Sequence, residues 1–217
     1  MDDPGTERAP GRRTRADALR NREQILRATI DLVAGQGPGV AMDVIARRAG
    51  VGVATLYRHF ADRSSLYAQV QYEVLRRCAD EAEAASREES DAFAALARYM
   101  HKAIDLRASA VMPLLNDRVT PDDELVAARL RGRDAIDSLV ARAHGEGALR
   151  PDVSTADIAM LIIRVSKPVP GISMAENLEL SHRHLELLLD GVLRFHAAAP
   201  LPGPVMSVDE LASPDRP

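Results

Sequence analysis

Apolar residues recur at the spacing of an α-helix along most of this 217-residue chain. In the first such segment, residues 21–37, one face carries Ile25, Ala28, Thr29 and Leu32. Positions i, i+3, i+4 and i+7 share one side of a helix, so this pattern predicts an amphipathic helix. Aromatic residues are only 3% of the chain, and no apolar/polar alternation bounded by hairpin turns is evident. The sequence therefore predicts an all-α fold.

The same spacing predicts further helices after the first. They are expected over about residues 41–50, 53–60, 64–85, 91–107, 108–116, 120–144, 154–166 and 174–198. Thr120 followed by Pro121 indicates a capped helix start, and Ser154 and Ser173 each begin a capping box. Pro113 is expected to interrupt the short element that contains it.

Charge is distributed unevenly along the chain. The net charge is −4, but the segment from residue 8 to residue 60 holds ten arginines and only four acids, a segment charge of +6. The remaining residues therefore carry −10. A basic N-terminal portion on an acidic body is expected when one end of a protein contacts a polyanion.

Several classes of protein are excluded by what the sequence lacks. A single cysteine, Cys78, cannot form an internal disulfide or a thiolate-rich zinc site, and its helical setting predicts an inert thiol. No signal peptide and no run of about 18 apolar residues is found, so we expect a cytoplasmic protein. No phosphate-binding loop, carboxylate pair or nucleophile–base signature is evident, so we predict neither an enzyme nor a cofactor.

The most informative block runs from Ile45 to Leu66. Two short predicted helices flank Gly50-Val51-Gly52 and follow a first helix, which is the arrangement of a helix-turn-helix unit. In such a unit the second helix presents residues to DNA bases while the first crosses the phosphate backbone. The residues expected in its core are Ile25, Leu32, Ile45, Val51, Leu56 and Phe60.

This block resembles the TetR family of bacterial transcriptional regulators. The resemblance is carried by Ile45-Ala46-x-x-Ala49-Gly50-Val51 and then Thr55-Leu56-Tyr57-x-His59-Phe60-x-x-Arg63-x-x-Leu66. It covers about residues 20–80, and a three-helix unit followed by roughly six helices also fits the family. The resemblance implies an N-terminal helix-turn-helix DNA-binding domain and a larger helical domain for ligand binding and dimerisation.

Four regions follow from this interpretation. Residues 19–79 are predicted to form the DNA-binding domain, and residues 80–198 the ligand-binding and dimerisation domain. Residues 1–18 and 199–217 are rich in proline, glycine and charge, which favours a disordered basic arm and a disordered tail.

The resemblance implies that DNA is contacted by Arg47, Arg48, Val53, Ala54, Thr55, Tyr57, Arg58, His59 and Arg63. Tyr57 and His59 would hydrogen-bond phosphates, and Thr55 would contact a phosphate or a base. Arg63 stands where the family usually has a lysine on the DNA backbone.

The remaining predicted contacts divide by chemistry. Val53 and Ala54 would meet thymine methyl groups in the major groove, and Arg58 suits guanine. Arg47 and Arg48 lie on the positioning helix, where either can supply charge to the DNA backbone.

The sequence departs from the family pattern at two positions. Ala41 and Gly52 replace the Ser or Thr that often caps a helix and touches phosphate, so those two contacts are in doubt. The arginines that precede the first helix, Arg12, Arg13 and Arg15, form either a DNA-contacting arm or a solvated tail.

The resemblance also implies a homodimer formed by the helices at 154–166 and 174–198. The last helix carries an apolar band formed by Leu185, Leu187, Leu188, Leu189, Val192 and Leu193. This band is wider than a one-sided surface helix needs, so a second partner is expected. The alternative is that the helix is central to its own bundle.

A small-molecule site is expected in the second domain. The candidate ligand-binding residues are Met100, His101, Ile104, Met112, Leu115, Asn116, Met160 and Arg164. They combine adaptable apolar side chains with a few polar groups, as small-molecule sites do. His182 and His184 are two apart on a helix and point to different faces, so no metal site is predicted.

Together these features predict a homodimeric, ligand-responsive transcriptional regulator. We expect a repressor that a small molecule releases from a pseudo-palindromic operator, although the sequence does not separate repressor from activator. The alternative is a helical small-molecule-binding or interaction protein that no longer binds DNA.

Overall fold

The computed structural model describes residues 10–193 and residue 201, and within this part of the chain every regular element is a helix. The elements are α1 (Pro10–Gln36), α2 (Met42–Ala49), α3 (Val53–His59), α4 (Arg63–Glu88), α5 (Ala92–Asp105), α6 (Ala108–Leu115), α7 (Asp123–Gly145), α8 (Thr155–Val165) and α9 (Met174–Leu188). A 3₁₀ turn, Asn116–Arg118, follows α6, and a π-helical turn, Leu189–Leu193, follows α9. The predicted all-α fold is confirmed. None of the described helices is long and apolar enough to cross a membrane.

The chain divides into two compact units, the first ending at Leu66 and the second starting at Tyr67. Helix α1 begins at Pro10, inside the segment predicted as a disordered arm. Residues 10–18 include three arginines and two alanines, which are good helix formers and favour this extension of α1. Helix α4 runs through residue 79, so the predicted domain boundaries stay predictions. The start of the arm, most of the tail and the predicted helix end at Ala198 lie outside the described residues.

The first unit is held together by the apolar faces of α1, α2 and α3. Helix α1 packs against both shorter helices. Of the residues predicted to fill this core, those that are buried are Ile25, Leu32, Ile45, Leu56 and Phe60. Val51, in the turn, is only half-buried. Thr29 is also buried in α1, where its hydroxyl donates to the carbonyl of Ile25 at 2.7 Å and so satisfies its own polar group.

A Schellman turn ends α2 and sets the direction of α3. Gly50 has φ +70° and ψ +26°, the left-handed conformation that glycine adopts most easily. Its N–H donates to the carbonyl of Arg47 at 3.2 Å, and the N–H of Val51 donates to the carbonyl of Ala46 at 3.0 Å. Gly52 then returns to extended backbone with φ −69°, and α3 starts at the next residue.

Helix α5 lies at the centre of the second unit. It packs against α6, α7, α8 and α9, which requires apolar side chains on several of its sides. Its buried residues include Phe93, Leu96, Tyr99, Met100 and Ile104. Burial raises the pKa of Cys78 on α4 to about 12, which agrees with the predicted inert thiol.

The observed helices confirm two predicted capping boxes and correct two other predictions about helix starts and breaks. Ser154 and Ser173 both form complete capping boxes. Thr120 is not the cap of α7, because the Asp122 carboxylate accepts from the N–H of Leu125 at 2.8 Å and takes that position. Pro113 lies inside α6 and does not interrupt it.

The two glycines of the α2–α3 turn provide a matched test of this geometry. We expect Gly50→Ala to lower the free energy of unfolding by about 1 kcal/mol, because alanine is strained at positive φ. Gly52→Ala should be neutral or stabilising by about 0.5 kcal/mol, because its φ suits alanine. An added Cβ meets nothing within 4 Å at either position, so only the backbone conformation differs. Urea unfolding of both variants measures this, and equal losses would contradict the turn described here.

Candidate nucleic-acid interface

Helix α3 buries one side and exposes the other. Leu56 is its only buried residue and is fully buried. Val53 and Tyr57 lie one turn apart on the outer side and are 42% and 48% exposed. Ala54 and Arg58 are exposed as well. This outer face combines small apolar groups, a phenol and a guanidinium, which is chemistry that suits base edges and phosphates in a major groove.

Helix α2 carries two arginines just before the turn that leads into α3. Arg47 and Arg48 occupy its last turn and are both exposed. Arg48 lies 3.8 Å from the Asp31 carboxylate, and its side chain remains 61% exposed. Such a surface pair is weak, so its charge stays available to a polyanion.

The first turns of α2 and α3 have no side-chain caps. Ala41 and Gly52 both adopt the extended backbone of an N-cap residue, but neither supplies a side-chain acceptor. The hydroxyl contacts that the sequence placed in doubt at these two positions are therefore absent.

His59, at the end of α3, is positioned differently from a freely exposed histidine. Its Nε2 atom is buried and has no hydrogen-bond partner among the described residues. Burial lowers the pKa of His59, and the nearby charges of Arg58 and Arg22 lower it further. The ring therefore favours its neutral form more than a freely exposed histidine does.

Arg22 borders the end of α3, and the sequence analysis did not single it out. Its guanidinium carbon lies 5.5 Å from the centroid of the Phe60 ring, within the range of a cation–π contact. A lone arginine on an amphipathic helix gives no sequence signal for such a contact, because only the fold brings α1 to Phe60.

Arg63 supports the interface from the start of α4. Its Nη1 donates to the carbonyl of Pro38 at 3.2 Å and so connects the α1–α2 loop to this helix. This bond uses one of the five guanidinium donors. Asp62 caps the same helix, because its carboxylate accepts from the N–H of Ser65 at 2.7 Å. The hydrogen bonds from the backbone and then the side chain of Ser65 lower the pKa of Asp62.

The nine predicted DNA contacts thus all lie on α2, α3 and the first residue of α4. Thr55 is half-buried, and the others on α3 present at least part of their side chains outward. The side chains of Arg12, Arg13 and Arg15 lie outside the described residues. The individual contacts with DNA stay predictions.

The predicted ligand residues of the second unit differ in how deeply they are buried. Three of them are core residues, namely Met100, Ile104 and Leu115. The others are half-buried or exposed, namely His101, Met112, Asn116, Met160 and Arg164. None of the three cavities recorded among the described residues is lined by any of the eight. Their role in ligand binding stays a prediction.

A buried polar group that the sequence analysis missed lies beside one of these residues. Gln71 on α4 is fully buried. Its Nε2 donates to Asn116 Oδ1 at 3.4 Å, and its Oε1 accepts from Arg129 Nη2 at 3.1 Å. Arg129 has no carboxylate partner among the described residues, so its charge is only partly compensated. A buried glutamine is invisible to apolar periodicity, because its position looks polar in the sequence.

No metal site is evident in the second unit or elsewhere in the described chain, where no group of three or more His, Cys, Asp or Glu side chains could hold an ion. His182 and His184 lie on different sides of α9, half-buried and exposed respectively, as their spacing predicts.

Two family models match the sequence. Residues 25–70 match the model for bacterial regulatory proteins of the tetR family. Residues 91–194 match the model for the C-terminal domain of SbtR-like transcriptional regulators. The search of curated proteins returned no match.

Solved structures of transcriptional regulators resemble the whole fold. A TetR transcription regulatory protein from Mycobacterium vanbaalenii is 30% identical, with 84% of this chain and 99% of that chain covered and a TM-score of 0.58. The regulator SCO0520 from Streptomyces coelicolor is 25% identical, with 80% and 98% covered and a TM-score of 0.56. LfrR from Mycobacterium smegmatis, in complex with proflavine, is 22% identical, with 84% and 99% covered and a TM-score of 0.59.

The lowered pKa of His59 predicts an acid-sensitive first unit. As the pH falls below the ordinary histidine pKa of about 6.5, the unfolded chain binds a proton before the folded chain does. The stabilising contribution of neutral His59 is therefore complete above that pH and is lost as the pH falls through the lowered pKa. His59→Gln should unfold with a weaker pH dependence than wild type in urea titrations. Parallel curves for wild type and His59→Gln would refute this.

Proposed function

Because the chain belongs to the TetR family of bacterial regulatory proteins, we propose that it binds a pseudo-palindromic operator as a homodimer and that a small molecule releases it. The matched family is one of bacterial regulatory proteins, and the relative from Mycobacterium vanbaalenii is a transcription regulatory protein. The observation that carries the DNA-binding part is the outer face of α3. Val53 and Tyr57 are exposed there, above a fully buried Leu56, with Arg58 beside them.

In the proposed complex α3 enters the major groove and α2 lies over the phosphate backbone. Val53 and Ala54 at the start of α3 would contact bases, and Arg58 would read a guanine. Tyr57 and Arg63 would position the unit through phosphates. The two copies would occupy half-sites about 34–36 Å apart, or a multiple of that distance, as dimeric helix-turn-helix proteins do.

The outer face of α3 gives the most direct test of this proposal. Tyr57→Ala and Arg58→Ala should each weaken operator binding by about tenfold or more, because each loses a contact worth about 1–3 kcal/mol. The operator is first selected from a random pool of duplex DNA with the wild-type protein, and binding is then measured by gel shift.

The matched control is Arg27→Ala, which removes an exposed arginine of α1 that the proposal leaves off DNA. Its affinity should stay near wild type, and all three variants should sediment like wild type. Wild-type binding should also weaken steeply with salt, because phosphate contacts release counterions. Unchanged affinity in both α3 variants would overturn the assignment of α3 as the recognition helix.

The α8–α9 region supports the proposed dimer. The exposed apolar residues there are Val169, Ile172, Met174 and Leu187, and Leu187 is the most exposed at 62%. Leu185 and Leu189 on the same helix are buried within the unit. The apolar band of α9 therefore has one side in its own core and another on the surface, where a second copy would cover it.

The loop before α9 is held in a defined conformation. The Asn177 side-chain amide donates to the carbonyls of Ile172 at 2.9 Å and Ser173 at 3.0 Å, and its Oδ1 accepts from the N–H of Val169 at 2.8 Å. These bonds fix the backbone that carries Val169 and Ile172. A preorganised apolar surface loses little entropy on association, which favours a stable interface.

The dimer is tested by placing a charge on this surface. Leu187→Asp should raise the dimer dissociation constant by about tenfold or more, because a carboxylate would be desolvated in the interface. Leu130→Asp is the control, since Leu130 is 55% exposed on α7, outside the proposed interface. Sedimentation over a range of concentrations separates the two. Equal effects, or none at Leu187, would place the interface elsewhere.

Small-molecule control is supported by the second unit. Its core contains adaptable apolar side chains such as Met100, and the buried Gln71 is hydrogen-bonded to the exposed Asn116 and the half-buried Arg129. The LfrR structure, which shares the fold, is described as a complex with proflavine. The effector would bind more tightly to a conformation that does not fit the operator, and this difference in affinity would shift the population away from DNA.

A further inference from the structure

Two histidines from different helices share a short hydrogen bond in the second unit. Nδ1 of His101 on α5 lies 2.7 Å from Nδ1 of His182 on α9. The ring centroids are 5.0 Å apart and the ring planes differ by 16°. The distance between the ring centroids equals the Nδ1–Nδ1 distance plus the centroid-to-nitrogen distance within each ring. The two centroids and the two Nδ1 atoms therefore lie on one line, and the rings are nearly coplanar. The rings therefore meet edge to edge.

A carboxylate faces the far nitrogen of each ring. Nε2 of His182 lies 3.0 Å from Asp105 Oδ1, and this contact is a hydrogen bond. Nε2 of His101 is buried and lies 2.8 Å from Glu186 Oε1, in a contact that is not an aligned hydrogen bond. The order along the group is Asp105, His182, His101 and Glu186.

This arrangement fixes the number of protons on the pair. The central bond needs one proton between the two Nδ1 atoms, since two would collide and none would leave two lone pairs in contact. Each Nε2 needs its own proton, since a bare nitrogen would face a carboxylate oxygen. Three protons on four nitrogens would give the pair one excess proton.

We propose that His101 and His182 form a proton-binding site that joins α9 to α5 only while the pair carries one excess proton. In acid, a proton from solvent binds the accepting Nδ1, two N–H groups then face each other, and the rings separate. In base, the excess proton leaves to solvent, and Nε2 of His101 is left bare against Glu186. The hydrogen-bonded contact between α5 and α9 is therefore most stabilising at intermediate pH.

Other charged groups do not contribute directly to this site. Asp105 and Glu186 are the only charged groups within hydrogen-bonding or ion-pair distance of the two rings among the described residues. Helices α6, α7 and α8 also pack against α5, but none of their described side chains forms a hydrogen bond or ion pair with either ring. Lys102 and Arg183 are the sequence neighbours of His101 and His182, and His184 lies two positions from His182. All three are exposed.

The site gives the regulator a second input besides the effector, and this consequence rests on the proposed function. Helix α9 carries Leu187 of the proposed dimer surface, so loss of this contact in acid or base would disturb that surface. The proton-binding site itself is tested without DNA or effector, so its failure is distinguishable from failure of the proposed function.

The test is a double-mutant cycle between His101→Gln and His182→Gln in the full-length protein, measured by urea unfolding from about pH 5 to about pH 8. The folded pair holds one excess proton, whereas the unfolded chain holds two in acid and none in base. The coupling between the two positions should therefore peak near the ordinary histidine pKa of about 6.5 and fall on both sides. A coupling that does not vary with pH would show a merely structural contact and overturn the proposal.

Glu186→Gln tests the alkaline side. The glutamine amide can donate to the bare Nε2 of His101, so the coupling should persist at alkaline pH in this variant and still fall in acid. His144→Gln is the matched control, because His144 on α7 contacts the carbonyl of Arg150 and neither ring of the pair, so the coupling in its background should match wild type. If the coupling energy falls as steeply at alkaline pH in Glu186→Gln as in wild type, the pair does not hold one excess proton and the proposal is overturned.

Histidine ¹⁵N spectra of the full-length protein provide a direct readout. At intermediate pH one shared proton should give coupled Nδ1 signals from His101 and His182, and both substitutions should abolish them. Independent titration of the two rings would refute the proposal. Stoichiometric Zn²⁺ binding that is lost in both variants would show that the pair is a metal site, and would also overturn it.

Discussion

The burial of Leu56 is the interaction on which the candidate DNA surface depends. Helix α3 has only seven residues, and Leu56 is its single buried side chain. A helix this short is not stable alone in water, so its conformation comes from packing against α1 and α2. The left-handed Gly50 then sets the angle at which α3 meets that core. The packing of Leu56 is therefore sufficient to hold Val53, Tyr57 and Arg58 on the exposed face of α3.

The two glycines of the α2–α3 turn differ in whether their backbone conformation requires glycine. Gly50 is required by its backbone conformation, whereas Gly52 sits in ordinary extended backbone and leaves α3 without a side-chain cap. The short helix is therefore held by its core side and by the turn before it, and not by its own N-terminus. Its outer face can vary in sequence at little structural cost, which suits a surface that selects a DNA sequence.

Much of the fold could be predicted because its signals are local. The core positions Ile25, Ile45 and Leu56 follow from helical spacing, and the caps at Ser154 and Ser173 follow from hydrogen bonds within one turn. Where two candidates compete locally the sequence is ambiguous, as at α7. There Thr120 and Asp122 are both good caps, and only Asp122 accepts the hydrogen bond from Leu125.

The features that could not be predicted all join residues far apart in the sequence. His101 and His182 are separated by 81 positions, and Gln71 and Arg129 by 58. Each of these residues is ordinary in its own helix, and its role exists only once the helices pack. For the same reason His101 was predicted from the sequence to bind a ligand, whereas in the structure it is hydrogen-bonded to His182 on α9.

The uneven charge of the chain acquires a structural meaning from the partners of its arginines. In the second unit Arg98 contacts Glu81, Glu88 and Glu89, and these carboxylates raise its pKa and neutralise its charge. Arg47 and Arg58 of the first unit form no ion pair within the described residues. An arginine already paired to three acids cannot attract a phosphate without breaking those contacts, whereas an unpaired one can. The positive charge available to DNA therefore depends on which arginines have no acid partner or only a weak one, and the net charge of −4 does not show this.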